Sequence, residues 1–89
     1  MKNIIKENRV GKFYVSNNFI RNEPELVKGI LSRVLITRAE GIFDRDAIEY
    51  TGYSNRFDKI CMGQSPPEYK VIVNQLDDNI QGVCFEKVK

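Results

Sequence analysis

Four carboxylates, Glu40, Asp44, Asp46 and Glu49, stand within ten residues of one another, and Cys61, the first of two thiols, follows not far behind. Two carboxylates that converge can exchange a proton with a substrate or hold magnesium, and a thiolate can attack an electrophile. The thiol ordinarily leans on a histidine for activation, and this chain has none, whereas the carboxylates could act without one. The Cys/His and Ser/His pairs and the mixed zinc sites are therefore excluded within one chain. Nothing basic beyond Lys59 stands near Cys61 in sequence to lower its pKa. The four carboxylates also suit the charged tip of a hairpin, which keeps an apolar ribbon from pairing edge to edge.

Metal and phosphate motifs add little. Asp77-Asp78-Asn79 offers adjacent carboxylates, but a calcium loop needs spaced oxygen ligands and a glycine at its sharp turn, so a plain turn is expected there. Neither a Lys-ending phosphate loop nor a G-x-G-x-x-G occurs. The expectation is a protein that is not an enzyme and takes no cofactor and no metal.

Recognition chemistry is better represented. Arg38, Arg45, Tyr50, Tyr53, Arg56, Phe57 and Tyr69 crowd one stretch that also holds the Gly63-Gln64-Ser65-Pro66-Pro67 loop. Arginine brings a planar fork and tyrosine a rigid apolar body with a polar tip, the residue types that dominate binding hot spots. These seven are the expected partner-binding residues. The competing structural reading is pairing across neighbouring strands, for example Arg38 with Glu49.

Charge is distributed unevenly. Residues 1–38 hold eight basic and three acidic side chains, a net +5, which leaves −3 for the rest of a chain whose total is +2. Such asymmetry suits a nucleic-acid face, or subunits that meet basic half to acidic half. Phe13, Tyr14 and Phe19 near Lys12 and Arg21 have the composition of a base-stacking surface, although a pI near 8.6 is below the usual nucleic-acid footprint. The alternative function is thus a binder of nucleic acid or of a phosphorylated small ligand through Arg21, Arg33, Arg38 and Arg56.

The elements that must position these residues can be read from periodicity. Residues 1–11 form a basic lead-in, loosely ordered, closed by Gly11. A strand is expected over 12–15, stopped by a turn at Ser16-Asn17-Asn18. A helix starts at Asn22 or Glu23: Pro24 suits its first turn, Glu23 and Glu25 suit its positive end, and Leu26, Val27, Ile30 and Leu31 form one apolar stripe. Strands follow near 33–40 and 46–53, antiparallel because their connector is too short for a crossover. A loop spans 54–67, with a helical turn over 55–59. Strands at 69–73 and 83–88 flank a turn at Asp77-Asp78-Asn79. The expected fold is α+β, one domain over 1–89, with one helix packed on a curved antiparallel sheet of four to five strands. One helix covers one sheet face, so a second copy is expected on the other, as a homodimer.

Met1-Lys2-Asn3-Ile4-Ile5-Lys6 lacks the apolar run of a signal peptide, and no stretch is apolar enough to span a membrane. A cytoplasmic protein without membrane contact is expected. Cys61 and Cys84, with 22 residues between them, fit reduced thiols packed as small hydrophobes, and a disulfide between them stays open.

Glu49-Tyr50-Thr51-Gly52-Tyr53-Ser54 and Pro66-Pro67-Glu68-Tyr69 resemble segments of small bacteriophage-type accessory proteins. The resemblance spans residues 33–73 and carries no functional residue with it. It implies a small accessory protein that inhibits a host factor or defence system by binding. Together with the missing catalytic groups, it makes a small non-enzymatic binding protein, acting on a protein partner by occlusion or sequestration, the expected function.

Overall fold

Apolar alternation in the first strand decides which side of the molecule becomes its core. In β1 (Val10–Ser16), Gly11, Phe13 and Val15 are buried while the residues between them are not. Successive strand side chains point to opposite faces, so Phe13 and Val15 face inward and Lys12 and Tyr14 face the other way. A computed structural model describes residues 8–61, 63–75 and 81–88.

Ser16 ends the strand and starts a helix in one step. Its Oγ accepts a hydrogen bond from the Phe19 amide at 3.0 Å, capping α1 (Asn17–Asn22). The expected turn at Ser16-Asn17-Asn18 is therefore a helix cap, because Ser and Asn serve either role and the free amides of a following helix decide between them. Glu23, with φ −131° and ψ 56°, breaks the helix, and α2 (Pro24–Leu31) begins at the proline as expected. Val27 and Ile30 are buried and Leu26 and Leu31 partly so, which matches the apolar stripe. Two helices, rather than one, accompany the sheet.

After α2 the chain forms β2 (Leu35–Ile42), a 3-10 turn (Phe43–Arg45), β3 (Ala47–Tyr53), β4 (Glu68–Gln75) and β5 (Gln81–Lys87). The spatial order is β2-β3-β1-β4-β5 in a single five-stranded sheet. The β2–β3, β1–β3 and β4–β5 pairs are antiparallel, but β1 and β4 are parallel, with Lys12 opposite Glu68 and Phe13 opposite Tyr69. The sheet is mixed rather than wholly antiparallel. Residues 54–67 cause this, since they carry the chain past the start of β1 from one side to the other. Backbone bonds hold the passage: Ser54 N to Arg9 O at 3.0 Å, Ile60 N to Asn8 O at 3.1 Å, and Lys12 N to Pro67 O at 3.0 Å. In place of the helical turn expected over 55–59, one tight turn forms, with Phe57 N donating to Ser54 O at 3.1 Å. Val10 and Gly11, expected in the lead-in, belong to β1; residues 1–7 and the Asp77-Asp78-Asn79 turn lie outside the described residues.

Aromatic rings fill the core. Phe57 stacks on Tyr69 at 4.6 Å between centroids and meets the edge of Phe85 at 5.1 Å, while Phe13 lies 5.3 Å from Phe85. Buried polar groups are paired: Ser54 Oγ donates to Arg33 O at 2.9 Å, and the Tyr69 hydroxyl accepts from Asp58 N at 2.8 Å. Gly11 and Gly52 sit opposite each other across β1 and β3. A methyl at Gly52 would meet the Leu35 carbonyl and Val34 Cγ1 (2.7 Å), the former a backbone atom that cannot turn aside.

Two substitutions report on this packing. Ile30→Ala opens a cavity beneath α2 and is expected to cost about 2–5 kcal/mol. Gly52→Ala forces β2 away from β3 and is expected to cost about 1–3 kcal/mol. Urea unfolding of each variant measures both, and a Gly52→Ala protein as stable as the parent contradicts the close approach.

Candidate functional site

Register fixes which side chains share the face turned away from the core. Tyr14 is opposite Glu49, Lys12 is opposite Thr51 and Glu68, and Arg38 and Glu40 on β2 are opposite Thr51 and Glu49. Directly opposed residues point the same way, so these groups form one surface that neither helix covers. Phe13, Val15, Tyr69 and Val83 pack with Val27 and Ile30 of α2 on the other side.

At the centre of the open face the Tyr14 hydroxyl donates to Glu49 Oε2 at 2.6 Å. The Arg45 guanidinium, brought over from the β2–β3 turn, lies 4.2 Å from the Tyr14 ring centroid, and its Nη1 is 3.8 Å from Glu68 Oε2. The positive fork rests on an electron-rich ring between two carboxylates. The hydrogen bond to Glu49 raises the Tyr14 pKa above its ordinary value of 10.0, with desolvation and the charge of Glu49 adding to the rise and Arg45 opposing it. Toward the 54–67 loop the same face holds a shallow groove of about 460 Å³, lined by Val10, Thr51, Tyr53, Ile60 and Pro66 among others.

The expected partner-binding residues divide into two groups. Arg38, Arg45 and Tyr53 belong to the open face. Tyr50 points to the helix side and stacks on Phe13 at 5.6 Å. Arg56 is committed to the backbone, its Nη1 donating to Val83 O at 3.0 Å. Phe57 and Tyr69 are core residues, 0% and 4% exposed, so they support the surface from beneath rather than forming it. The strand pairing imagined for Arg38 is also different: its partner is Glu40 at 2.6 Å, not Glu49. Tyr14, expected only in the base-stacking alternative, and Glu49, expected as a carboxylate or a partner of Arg38, join Arg38, Arg45 and Tyr53 as members of the face. The signal for Tyr14 lay in the alternation of residues 12–15, which sets it out of phase with Phe13 and Val15.

Two of the carboxylates with catalytic potential hold structural contacts. Glu49 holds Tyr14, and Asp46, at φ 49°, accepts from Asn17 Nδ2 at 2.8 Å. Cys61 and Cys84 are unbonded and exposed, which corrects the expectation that they pack in the interior. Among the described residues no cluster of three or more Cys, Asp or Glu is placed to hold a metal ion, and no helix is long and apolar enough to cross a membrane. Comparison with protein-family models, curated proteins and solved structures gives no match.

The raised Tyr14 pKa carries a sign. The folded state favours the neutral phenol, so this contribution to stability is complete below pH about 10 and is lost as pH rises through the higher folded value. Urea midpoints measured from neutral pH into the alkaline range are expected to fall more steeply for the parent than for Tyr14→Phe, and Glu49→Gln is expected to bring the Tyr14 titration down. Parallel profiles for parent and Tyr14→Phe contradict the coupling.

Proposed function

We propose that this protein is a non-enzymatic binding protein that occludes or sequesters a protein partner through the open face of its sheet. One observation carries the reading: Arg45 is held over Tyr14, which is itself held by Glu49, on a sheet face that neither α1 nor α2 covers. Arginine and tyrosine make strong contacts when their conformations are fixed before the partner arrives, because less side-chain entropy is then lost on binding. The groove beside Tyr53 suits an apolar side chain of the partner, and Arg38 supplies charge at the rim. The size of the chain and its lack of histidine favour occlusion over turnover, in the manner of a small phage-type inhibitor acting on a host factor in the cytoplasm.

The nucleic-acid or phosphorylated-ligand alternative draws less support. Of its four arginines, Arg33 donates to Gly29 O and Arg56 to Val83 O, while Arg38 is paired with Glu40. On the open face Lys12, Arg38 and Arg45 are interleaved with Glu40, Glu49 and Glu68, a near balance of charge that offers a polyanion little net attraction.

A pull-down from a bacterial lysate, run beside an oligonucleotide titration at several salt concentrations, tests the assignment. Arg45→Ala and Tyr53→Ala are each expected to weaken capture of the protein partner by more than about 1 kcal/mol. Arg45→Ala is expected to leave stability within about 0.5 kcal/mol, since Arg45 and its contacts lie at the surface. Arg56→Ala, which breaks a bond to the β5 backbone, is expected to lower stability instead. Binding to the oligonucleotide alone, falling steeply with salt, contradicts the reading.

A further inference from the structure

β2 is exposed to an unusual degree for a strand of eight residues. Among the described residues it ends the sheet and one edge of its backbone has no partner strand, and Thr37, Arg38, Ala39, Glu40 and Gly41 are all exposed, whichever face they occupy. Edge strands of this kind are ready to accept another strand unless their side chains forbid it. Here the side chains form a self-complementary series. Arg38 and Glu40 flank Ala39, and both point to the open face. Four residues from Ala39 in either direction stand Leu35 and Phe43, 48% and 95% exposed.

We propose that β2 pairs antiparallel with β2 of a second copy of this chain, about a two-fold axis at Ala39, joining two five-stranded sheets into one continuous sheet. A two-fold axis normal to a sheet keeps each side chain on its own face, so residues pair only when their numbers sum to twice that of the axis residue. An axis at Arg38 opposes two arginines, and an axis at Glu40 opposes two glutamates. An axis at Gly41 sets Glu40 against Ile42 and leaves Arg38 only Asp44, which lies in the 3-10 turn beyond the end of the strand. Only the axis at Ala39 sets Arg38 of each copy against the partner's Glu40.

A second feature of β2 agrees with this register. Glu40 lies directly opposite Glu49, a like-charge pair whose repulsion Arg38 of the same strand, 2.6 Å from Glu40, offsets in part. The partner's Arg38 would stand on the other flank of Glu40 and offset that repulsion further. The β-bulge between Ile36 and Arg38 makes Thr37 the extra residue, so the regular part of β2 begins at Arg38 and contains the axis. Beyond the regular part, the exposed Phe43 of each copy follows the last residue of β2 at an end of the seam. The assembly goes beyond the binding function proposed above and does not depend on it. It sets the open faces of both copies on the same side, which would give a two-site binder.

Sedimentation equilibrium of the full chain, with circular dichroism to check folding, tests the register. The parent is expected to dimerise at tens of micromolar, an order-of-magnitude range for a weak interface. Arg38→Glu and Glu40→Arg are each expected to raise the dimer dissociation constant by about ten-fold or more, since each opposes like charges twice per dimer. The double variant R38E/E40R restores opposite pairing and is expected to recover the parental value. A separate measurement uses Ala39→Cys in a background with Cys61→Ser and Cys84→Ser. Residues at the axis have Cα atoms close enough for a disulfide, so this variant is expected to cross-link to itself on mild oxidation far faster than Thr37→Cys in the same background. A monomeric parent, single charge reversals that leave association unchanged, a charge swap that fails to recover it, or equal cross-linking at 37 and 39 overturns the proposal.

Discussion

The stack of Phe57 on Tyr69 is the interaction from which the arrangement of the sheet follows. Residues 54–67 must leave β3, pass the start of β1 and enter β4 on its far side, with no helix to stiffen the route. An aromatic ring buried midway pins that passage, and the Tyr69 hydroxyl fixes the next residue by accepting from Asp58 N. Gly11 is part of the same device: a Cβ there would stand 2.7 Å from the Tyr69 ring and 3.0 Å from Phe57, so only glycine lets the rings approach β1 this closely. With the passage held, β4 runs parallel to β1 and β1 becomes the central strand.

A central β1 decides the rest. Its inward residues, Phe13 and Val15, receive α2 and the aromatic cluster, and its outward residues, Lys12 and Tyr14, fall at the middle of an uncovered surface. Tyr14 would be a mobile exposed ring on an edge strand. At the centre of a sheet it has Glu49 on one side and is close enough to the β2–β3 turn for Arg45 to rest on it. The arrangement of Arg45, Tyr14 and Glu49 on the open face is thus a consequence of core packing on the other face, and residues expected to make contact, Phe57 and Tyr69, hold the scaffold instead.

Much of the local structure was legible in the sequence, and the topology was not. The alternation around Phe13 and Val15 marks β1, Pro24 marks the start of α2, and the short charged connector marks β2 and β3 as an antiparallel hairpin. Each of these signals is local. The parallel β1–β4 pairing brings Phe13 to Tyr69, far apart in the chain, through a loop whose composition says only that it is a loop. Aromatic residues in such a segment carry the same sequence signature whether they anchor a core or face a partner, so Phe57 and Tyr69 read equally well as contact residues. Ser16-Asn17-Asn18 is ambiguous for a different reason, since the side-chain hydrogen bonds that make a turn also cap a helix. Of the residues expected to make contact, Arg38, Arg45 and Tyr53 lie on the open face. The pairing of Tyr14 with Glu49 was not legible, because it exists only across β1 and β3.

The central claim is that partners engage the face opposite the helices. Hydroxyl-radical footprinting of side chains in the complex with the captured partner tests it most directly, because oxidation reports each side chain by the face it occupies. Protection of Tyr14 and Tyr53, with Phe19 of α1 and Leu26 of α2 unchanged, is the result this account predicts. Protection of Phe19 and Leu26, with Tyr14 and Tyr53 as reactive as in the free protein, would contradict it.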